Sequence, residues 1–256
     1  MLRLLTLGGL SLADASGREA VAILRRPKRL AFVCLVGASR DWVSRDQILG
    51  MLWPDLDEDH ARHALRQTLY EVRAALPDGA LECQGGAGVR ARSDALWCDA
   101  RVLAKAAREK RHARVRDLYG GEFLPGFHAA TPSLAFQEWV EAQRIRLRSL
   151  AFWSTWSLAL EARAGHDDVL AARLAVEAAE LQPYDEIILR DTVRFLTELG
   201  DRARALEVYR GHLRRWRADL GVEPADRTVA LIEAVRRGGE LPEDPGALLS
   251  APAAGS

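Results

Sequence analysis

From about residue 150 onward the chain repeats itself, and no other feature restricts its fold as strongly. Gly165 and Gly200 stand 35 residues apart, and the same offset relates Trp153 to Ile188, Leu160 to Phe195, Leu174 to Tyr209 and Leu181 to Trp216. Helix–turn–helix units of about 34 residues mark tetratricopeptide (TPR)-like arrays, whose helix pairs bury their apolar faces by stacking on one another. The rear helix of the second unit carries Leu206, Tyr209, Leu213, Trp216 and Leu220, an apolar stripe at helical spacing. Residues 99–240 therefore read as an all-α TPR-like domain, interrupted by a structured loop at Gly120-Gly-Glu-Phe-Leu-Pro-Gly126. Residues 241–256, LPEDPGALLSAPAAGS, are small and Pro-rich and are expected to be a disordered tail.

Before residue 99 the texture differs. Residues 1–24 alternate Leu, Val and Ile with turn signals at Gly8-Gly9 and Asp14-Ala-Ser-Gly17, which predicts short strands. A helical period starts at Arg26, with Leu30, Val33, Cys34 and Gly37 on one side. Ser44 can cap a second helix, with Gln47 at the capping-box position, and Trp53-Pro54 ends it. A third helix begins within Asp55–Asp59, where acids suit a helix N-terminus. Its apolar residues Ala61, Leu65, Leu69, Val72 and Leu76 form one stripe, and Pro77-Asp-Gly79 stops it. Residues 81–98 read as two strands around Gly85-Gly-Ala-Gly88, a hairpin. Strands, three helices and a hairpin describe a winged helix, so the fold class is an α+β N-terminal winged helix, residues 1–98, followed by an all-α TPR-like repeat domain.

On the third helix, setting Leu65 toward the core turns His63, Gln67, Tyr70 and Ala74 to solvent. Arg62, Arg66 and Arg73 then lie on one flank and Glu71 on the other. Arginine suits phosphate oxygens and guanine edges, and glutamine suits adenine. Arg90 and Arg92 in the wing are candidates for a neighbouring minor groove or phosphate, and Lys28 within the basic run Arg25–Arg29 for backbone phosphate. A charged outer helix face is also what any solvated helix shows. The winged-helix layout tips the balance, because these charges fall on the helix such domains insert into DNA.

Charge alone does not decide the matter. The chain has 36 basic and 36 acidic side chains, and the segment through residue 98 has 13 against 12. The longest apolar run, LAFVCLVGA at 30–38, is too short to span a bilayer, and Gly8-Gly9 breaks the N-terminal run that superficially resembles a signal peptide. A cytoplasmic protein without membrane contact is expected. Cys34, Cys83 and Cys98 form no metal-type pair and read as reduced, mostly buried thiols. No phosphate loop, G-x-S-x-G or H-E-x-x-H is present, so no enzyme and no cofactor are expected. His60 and His63 lack a third ligand for a metal. Phe152, Trp153 and Trp156 could line a groove, though inter-helix core is the plainer reading.

The stretch VSRDQILGMLWPDLDEDHARHALRQTLYEVRAAL resembles the helix-turn-helix of OmpR-like winged helices in SARP-type activators. LYGGEFLPGF, FQEWVEAQRIRLRSL and LQPYDEIILRDTVRFLTELGDRARALEVYRGHLRRWRADLGVEP are similar to the bacterial transcriptional activator domain. Together these matches cover nearly all of residues 1–237. The resemblance implies an activator that binds double-stranded promoter DNA, often as a homodimer on direct repeats, and recruits RNA polymerase through its sigma or alpha subunits. Glu71 and Ala74 stand where Arg or Lys is common, and Val89 where the wing usually carries an aromatic. These departures bear on affinity and target rather than fold. They also favour a rival of another class, a TPR-like adaptor whose winged helix no longer binds DNA. No receiver, nucleotide-binding or phosphopeptide-binding module follows within these residues, so expression level or a partner on the repeats is expected to set activity.

Overall fold

The computed structural model describes residues 1–85, 88–127 and 133–244, with backbone only at Val21 and Ala22. The chain divides into two compact units, residues 1–150 and the residues from Ala151 on.

The first unit is built around one helix. β1 (Leu2–Leu5) and β2 (Ser11–Ala13) form an antiparallel hairpin, followed by a short turn of helix, α1 (Val21–Leu24). α2 (Pro27–Ala38) starts on a proline, whose missing N–H costs nothing at a helix start. The sequence assigns α2 one apolar side, but every residue from Leu30 to Gly37 is buried. Sheets and helices cover it all round, and a Cβ on Gly37 would come within 2.8 Å of the Leu4 side chain.

β3 (Val43–Ser44) leads into α3 (Arg45–Leu52), where the Ser44 hydroxyl accepts the Gln47 N–H at 3.1 Å, the cap expected from sequence. α4 (Glu58–Ala75) is capped by Asp57, which accepts the His60 N–H at 3.1 Å. Each cap contributes about 1 kcal/mol. β4 (Leu81–Gln84) and β5 (Gly88–Ala91) are the expected hairpin, and β3 extends it to three strands in the order β3-β5-β4. Gly86 and Ala87 of its tip lie outside the described residues. A third strand follows that sequence reading merges with the wing: β6 (Leu96–Cys98) leaves the hairpin and pairs parallel to β1.

The rest of this unit comprises α5 (Asp99–Arg108), α6 (His112–Leu118) and the start of α7 (Leu134–Ala164), which Ser133 caps by accepting the Phe136 N–H. Two contacts weld these helices to the N-terminal hairpin. The Asp99 carboxylate is 4% exposed and accepts the Thr6 and Leu7 N–H groups, the Thr6 hydroxyl and the Ala100 N–H. The loop Tyr119–Phe127 meets the turn after β1: Gly8 N–H donates to Glu122 O at 2.9 Å, and Leu124 N–H to Thr6 O at 2.7 Å. Gly8 sits at φ 76°, and a Cβ there would lie 2.3 Å from Gly120 O, so only glycine lets the two backbones touch. Arg144 of α7 clamps the loop from behind, donating to Phe123 O and Leu124 O at 3.0 Å each. The glycine-rich loop and the α7 motif that carry the family resemblance are thus framework.

The second unit holds the end of α7, α8 (Asp168–Glu180), α9 (Glu186–Glu198), α10 (Arg202–Asp219) and α11 (Asp226–Arg237). Its helix pairs repeat, but one residue out of the register read from Gly165 and Gly200. The left-handed residue in the first turn is His166 (φ 61°), and its counterpart is Gly200 (φ 81°). Asp167 and Asp201 are the matching N-caps. The buried faces agree: Ala171, Leu174, Ala175 and Ala178 of α8 correspond to Ala205, Val208, Tyr209 and His212 of α10, at the TPR period of about 34 residues. The offset of 35 fails where it was read on α7, since Trp153 and Leu160 are 47% and 41% exposed while Ile188 and Phe195 are buried. It appears instead in bonds between successive units: Arg163 to Glu198, Arg215 to Glu180 and Tyr184 to Asp219, each pair separated by 35 residues. Phe152 and Trp156 are core, as the plainer reading held, but Trp153 is not.

Residues 241–244, expected to open a disordered tail, are held in place. Leu241 packs against α9–α11, Arg194 donates to Pro242 O, and Asp244 forms a buried ion pair with Arg190 at 2.7 Å. The remainder of that expected tail, residues 245–256, lies outside the described residues. Among the described residues no helix is long and apolar enough to cross a membrane.

Candidate nucleic-acid interface

α4 owes its orientation to its apolar stripe. Ala61, Leu65, Thr68, Leu69 and Val72 are buried, which leaves Arg62, His63, Arg66, Gln67, Tyr70, Arg73 and Ala74 exposed along the opposite side. All six α4 residues predicted as contacts therefore share one outward face, and Tyr70 at its centre is 73% exposed. Arg62 pairs with Glu58 one turn back, a surface pair weak enough to exchange for phosphate. Arg73 Nη2 lies 3.1 Å from Cys83 Sγ, so the C-terminal end of α4 rests against β4.

Glu71 does not sit on that face. Its carboxylate is half-buried in an ion pair with Arg29 near the start of α2, and it also accepts the Gln67 amide at 3.0 Å. Its charge is balanced locally, and it braces α2 against α4. Lys28, beside it, extends over the Trp53 ring with Nζ 5.7 Å from the centroid and remains exposed on the flank.

Arg45, which sequence reasoning passed over, completes the surface. It opens α3, donates to Gly85 O at the wing turn at 3.1 Å, and lines a shallow 470 Å³ depression with Arg66, Tyr70, Arg73, Ala74 and Cys83. The one available signal was its place directly after the Ser44 cap, where the first turn of α3 runs beside the wing.

The wing arginines do not join this surface. Along β5, Val89 and Ala91 are buried, so Arg90 points to the other face of the sheet. There it pairs with Glu82, its neighbour on β4, and its guanidinium lies 4.7 Å from the Trp42 centroid. Arg92 pairs with Asp94 and approaches Glu82 at 3.9 Å. Cys83, which alternates with Glu82, is the β4 side chain that meets α4. The structure therefore does not gather Arg90 and Arg92 with the α4 residues; they stand on the far side of the wing, where the sequence offers them to a neighbouring groove or phosphate. His60 is likewise engaged locally: its Nδ1 lies 2.6 Å from Asp57 Oδ2. Hydrogen bonds from the His60 N–H and ring hold the Asp57 carboxyl below its ordinary range.

In chemical terms, the exposed α4 face presents arginine guanidinium groups, a glutamine amide, a phenol and an imidazole, with Arg62 paired to Glu58 and the Gln67 amide donating to Glu71. Such a surface can accept phosphate oxygens and base edges; nothing in it forms a nucleophile–base pair.

The family model of the bacterial transcriptional activator domain matches residues 88–236, more than half of the chain and including the loop at Gly120, Arg144 and the helical repeat. A comparison with curated proteins finds no match. Among solved structures, Mycobacterium tuberculosis EmbR in complex with a low-affinity phosphopeptide is similar at a TM-score of 0.60 and 18% identity, over 94% of this chain. This chain spans 66% of the EmbR chain, and the likeness at that identity concerns the fold. On the breadth of the family match, this chain belongs to the bacterial transcriptional activator domain family.

Proposed function

We propose that this protein is a transcription regulator, an activator, that reads promoter DNA with α4 and contacts RNA polymerase or another protein through its helical repeats. One observation carries the DNA reading: every predicted α4 contact residue falls on one exposed face, and Glu71, on the flank, is paired with Arg29. Arg66 and Arg73 serve phosphates or guanine edges, Gln67 an adenine edge, and Tyr70 with Ala74 a thymine methyl. Arg62, His63 and Arg45 border them, and Lys28 reaches backbone phosphate from the flank. Asp57, Glu58 and Asp59 at the start of α4 repel phosphates, so the duplex lies along residues 62–74 rather than at the helix tip.

Binding as a homodimer on direct repeats and a cytoplasmic location complete the reading. The stacked helix pairs after Ala151 support the protein-contact role, because such arrays present extended surfaces suited to partner segments. Glu71 gave the adaptor alternative part of its weight, and its pairing with Arg29 removes that part. Genomic fragments captured by the purified chain decide between the two. Discrete enriched sites are expected; recovery of proteins with no enriched DNA would sink the regulator reading.

A further inference from the structure

The arginines that turn away from α4 gather elsewhere. Between the outer face of the wing sheet and α5–α6 lies an 820 Å³ cavity lined by eight basic and three acidic side chains. The three carboxylates are already engaged: Glu82 with Arg90 and Arg92, Asp94 with Arg92, and Glu109 with Lys105 and Arg111. Arg101 is held by the backbone, donating to Ala91 O at 3.0 Å and to Leu96 O. Arg40 is largely exposed and, among the described residues, pairs with its neighbour Asp41 at 3.7 Å. Among the described residues, Arg108 and Arg114 pair with no carboxylate. A chain with no net charge thus concentrates a cationic excess around one hollow, and the local potential attracts anions.

Shape and chemistry narrow the anion. A duplex offers phosphates in a row on a convex surface, whereas these side chains border one hollow, which suits a compact anion. The volume is that of a nucleotide-sized ligand. No aromatic side chain lines the cavity, and Arg90 already lies over the Trp42 ring, so a base would find no stacking partner. Arg101 is half-buried, and that burial pushes its guanidinium down from its ordinary value.

We propose that this cavity binds the phosphate chain of a small polyphosphate, either a nucleoside polyphosphate or free inorganic polyphosphate, with Arg108 and Arg114 as the principal new contacts and Lys105, Arg111 and Arg40 around them. The site is separate from α4, so a bound polyphosphate would act as an effector and not as a competitor for the DNA-reading face.

The test is calorimetric titration of the full chain with tripolyphosphate, with adenosine triphosphate and with adenosine monophosphate. The first two are expected to saturate one site with affinities within about threefold of each other, and the monophosphate to bind at least tenfold more weakly. Arg108→Ala with Arg114→Ala is expected to weaken tripolyphosphate by about tenfold per arginine. Lysine at both positions restores part of that loss, and the thermal midpoint of the exposed-site variants stays unchanged. Arg66→Ala with Arg73→Ala leaves tripolyphosphate binding intact even if it abolishes DNA binding, which separates this proposal from the regulator reading. The proposal is overturned by a wild-type chain that shows no saturable tripolyphosphate binding, by binding that survives loss of Arg108 and Arg114, or by loss of it in the α4 variant. An effect of the Arg108 and Arg114 changes on duplex affinity alone likewise overturns it and assigns the surface to DNA.

Discussion

The buried Asp99 carboxylate accepts hydrogen bonds from four N–H and O–H groups, and replacing it gives a sharp stability test. Its Oδ1 accepts from the Thr6 N–H at 3.0 Å, the Thr6 hydroxyl at 2.5 Å and the Ala100 N–H at 2.7 Å; Oδ2 accepts from the Thr6 N–H at 2.8 Å and the Leu7 N–H at 3.0 Å. Asp99→Ala leaves the Thr6 N–H, Thr6 hydroxyl and Leu7 N–H buried and unpaired. Each such group costs about 1–3 kcal/mol, so a loss of at least about 3 kcal/mol is expected from the three together. That is a large share of a typical folding free energy of roughly 5–15 kcal/mol. Asp99→Asn is the discriminating variant. Either amide orientation places an NH₂ group against N–H donors, so it is expected to lose at least about 2 kcal/mol, unlike an ordinary isosteric exchange. Thr6→Val removes only the hydroxyl and costs about 1 kcal/mol. Urea unfolding with equal m-values reads all three. An Asp99→Asn protein as stable as wild type would refute the acceptor-only role.

Gly8→Ala places a Cβ on Gly120 O at a left-handed φ, so a loss of at least about 2 kcal/mol is expected in the same assay; an unchanged midpoint would show that the loop can retreat. At Asp57 the folded carboxyl titrates below its unfolded value, held there chiefly by the His60 N–H. Its stabilisation is therefore complete above the unfolded value of about 4 and lost as pH falls through the lower folded value. Wild type is expected to exceed Asp57→Asn in stability near neutrality, with the gap closing below about pH 4; a gap independent of pH contradicts the assignment. Asp244→Ala strands the buried Arg190 and is expected to cost about 3 kcal/mol, much of it recovered by adding Arg190→Met. A double variant as unstable as the single one would show that the strap, not the ion pair, matters.

The winged-helix order, the Ser44 cap and the exposed face of α4 were legible because each rests on local pattern: a 3.6-residue stripe, a side chain at a cap, a proline or glycine at a boundary. What escaped depends on pairings distant in sequence. The inward or outward parity of Arg90 follows from which β5 residues meet α2, and the alternation of a strand this short gives no sign of it. Asp99 looks like an ordinary helix-start acid until β1 is laid beside α5. The contact of Gly8 with Gly120 belongs to two segments whose glycines each read as simple turns. The repeat was visible but slipped by one residue, because Gly165 and Gly200 match as letters while the left-handed turn positions are His166 and Gly200. Burial pushes the Cys34 thiol well up and that of Cys98 to about 12, in keeping with the inert thiols that spacing alone suggested.

That α4 reads DNA is tested most directly by binding to an enriched fragment across a range of salt concentrations, comparing wild type with the Arg66→Ala, Arg73→Ala double variant. Loss of sequence preference is expected, together with a slope of log K against log salt shallower by about 2, since each lost phosphate contact removes roughly 0.9. Equal affinity, preference and slope in the two proteins would contradict the assignment of this face to DNA.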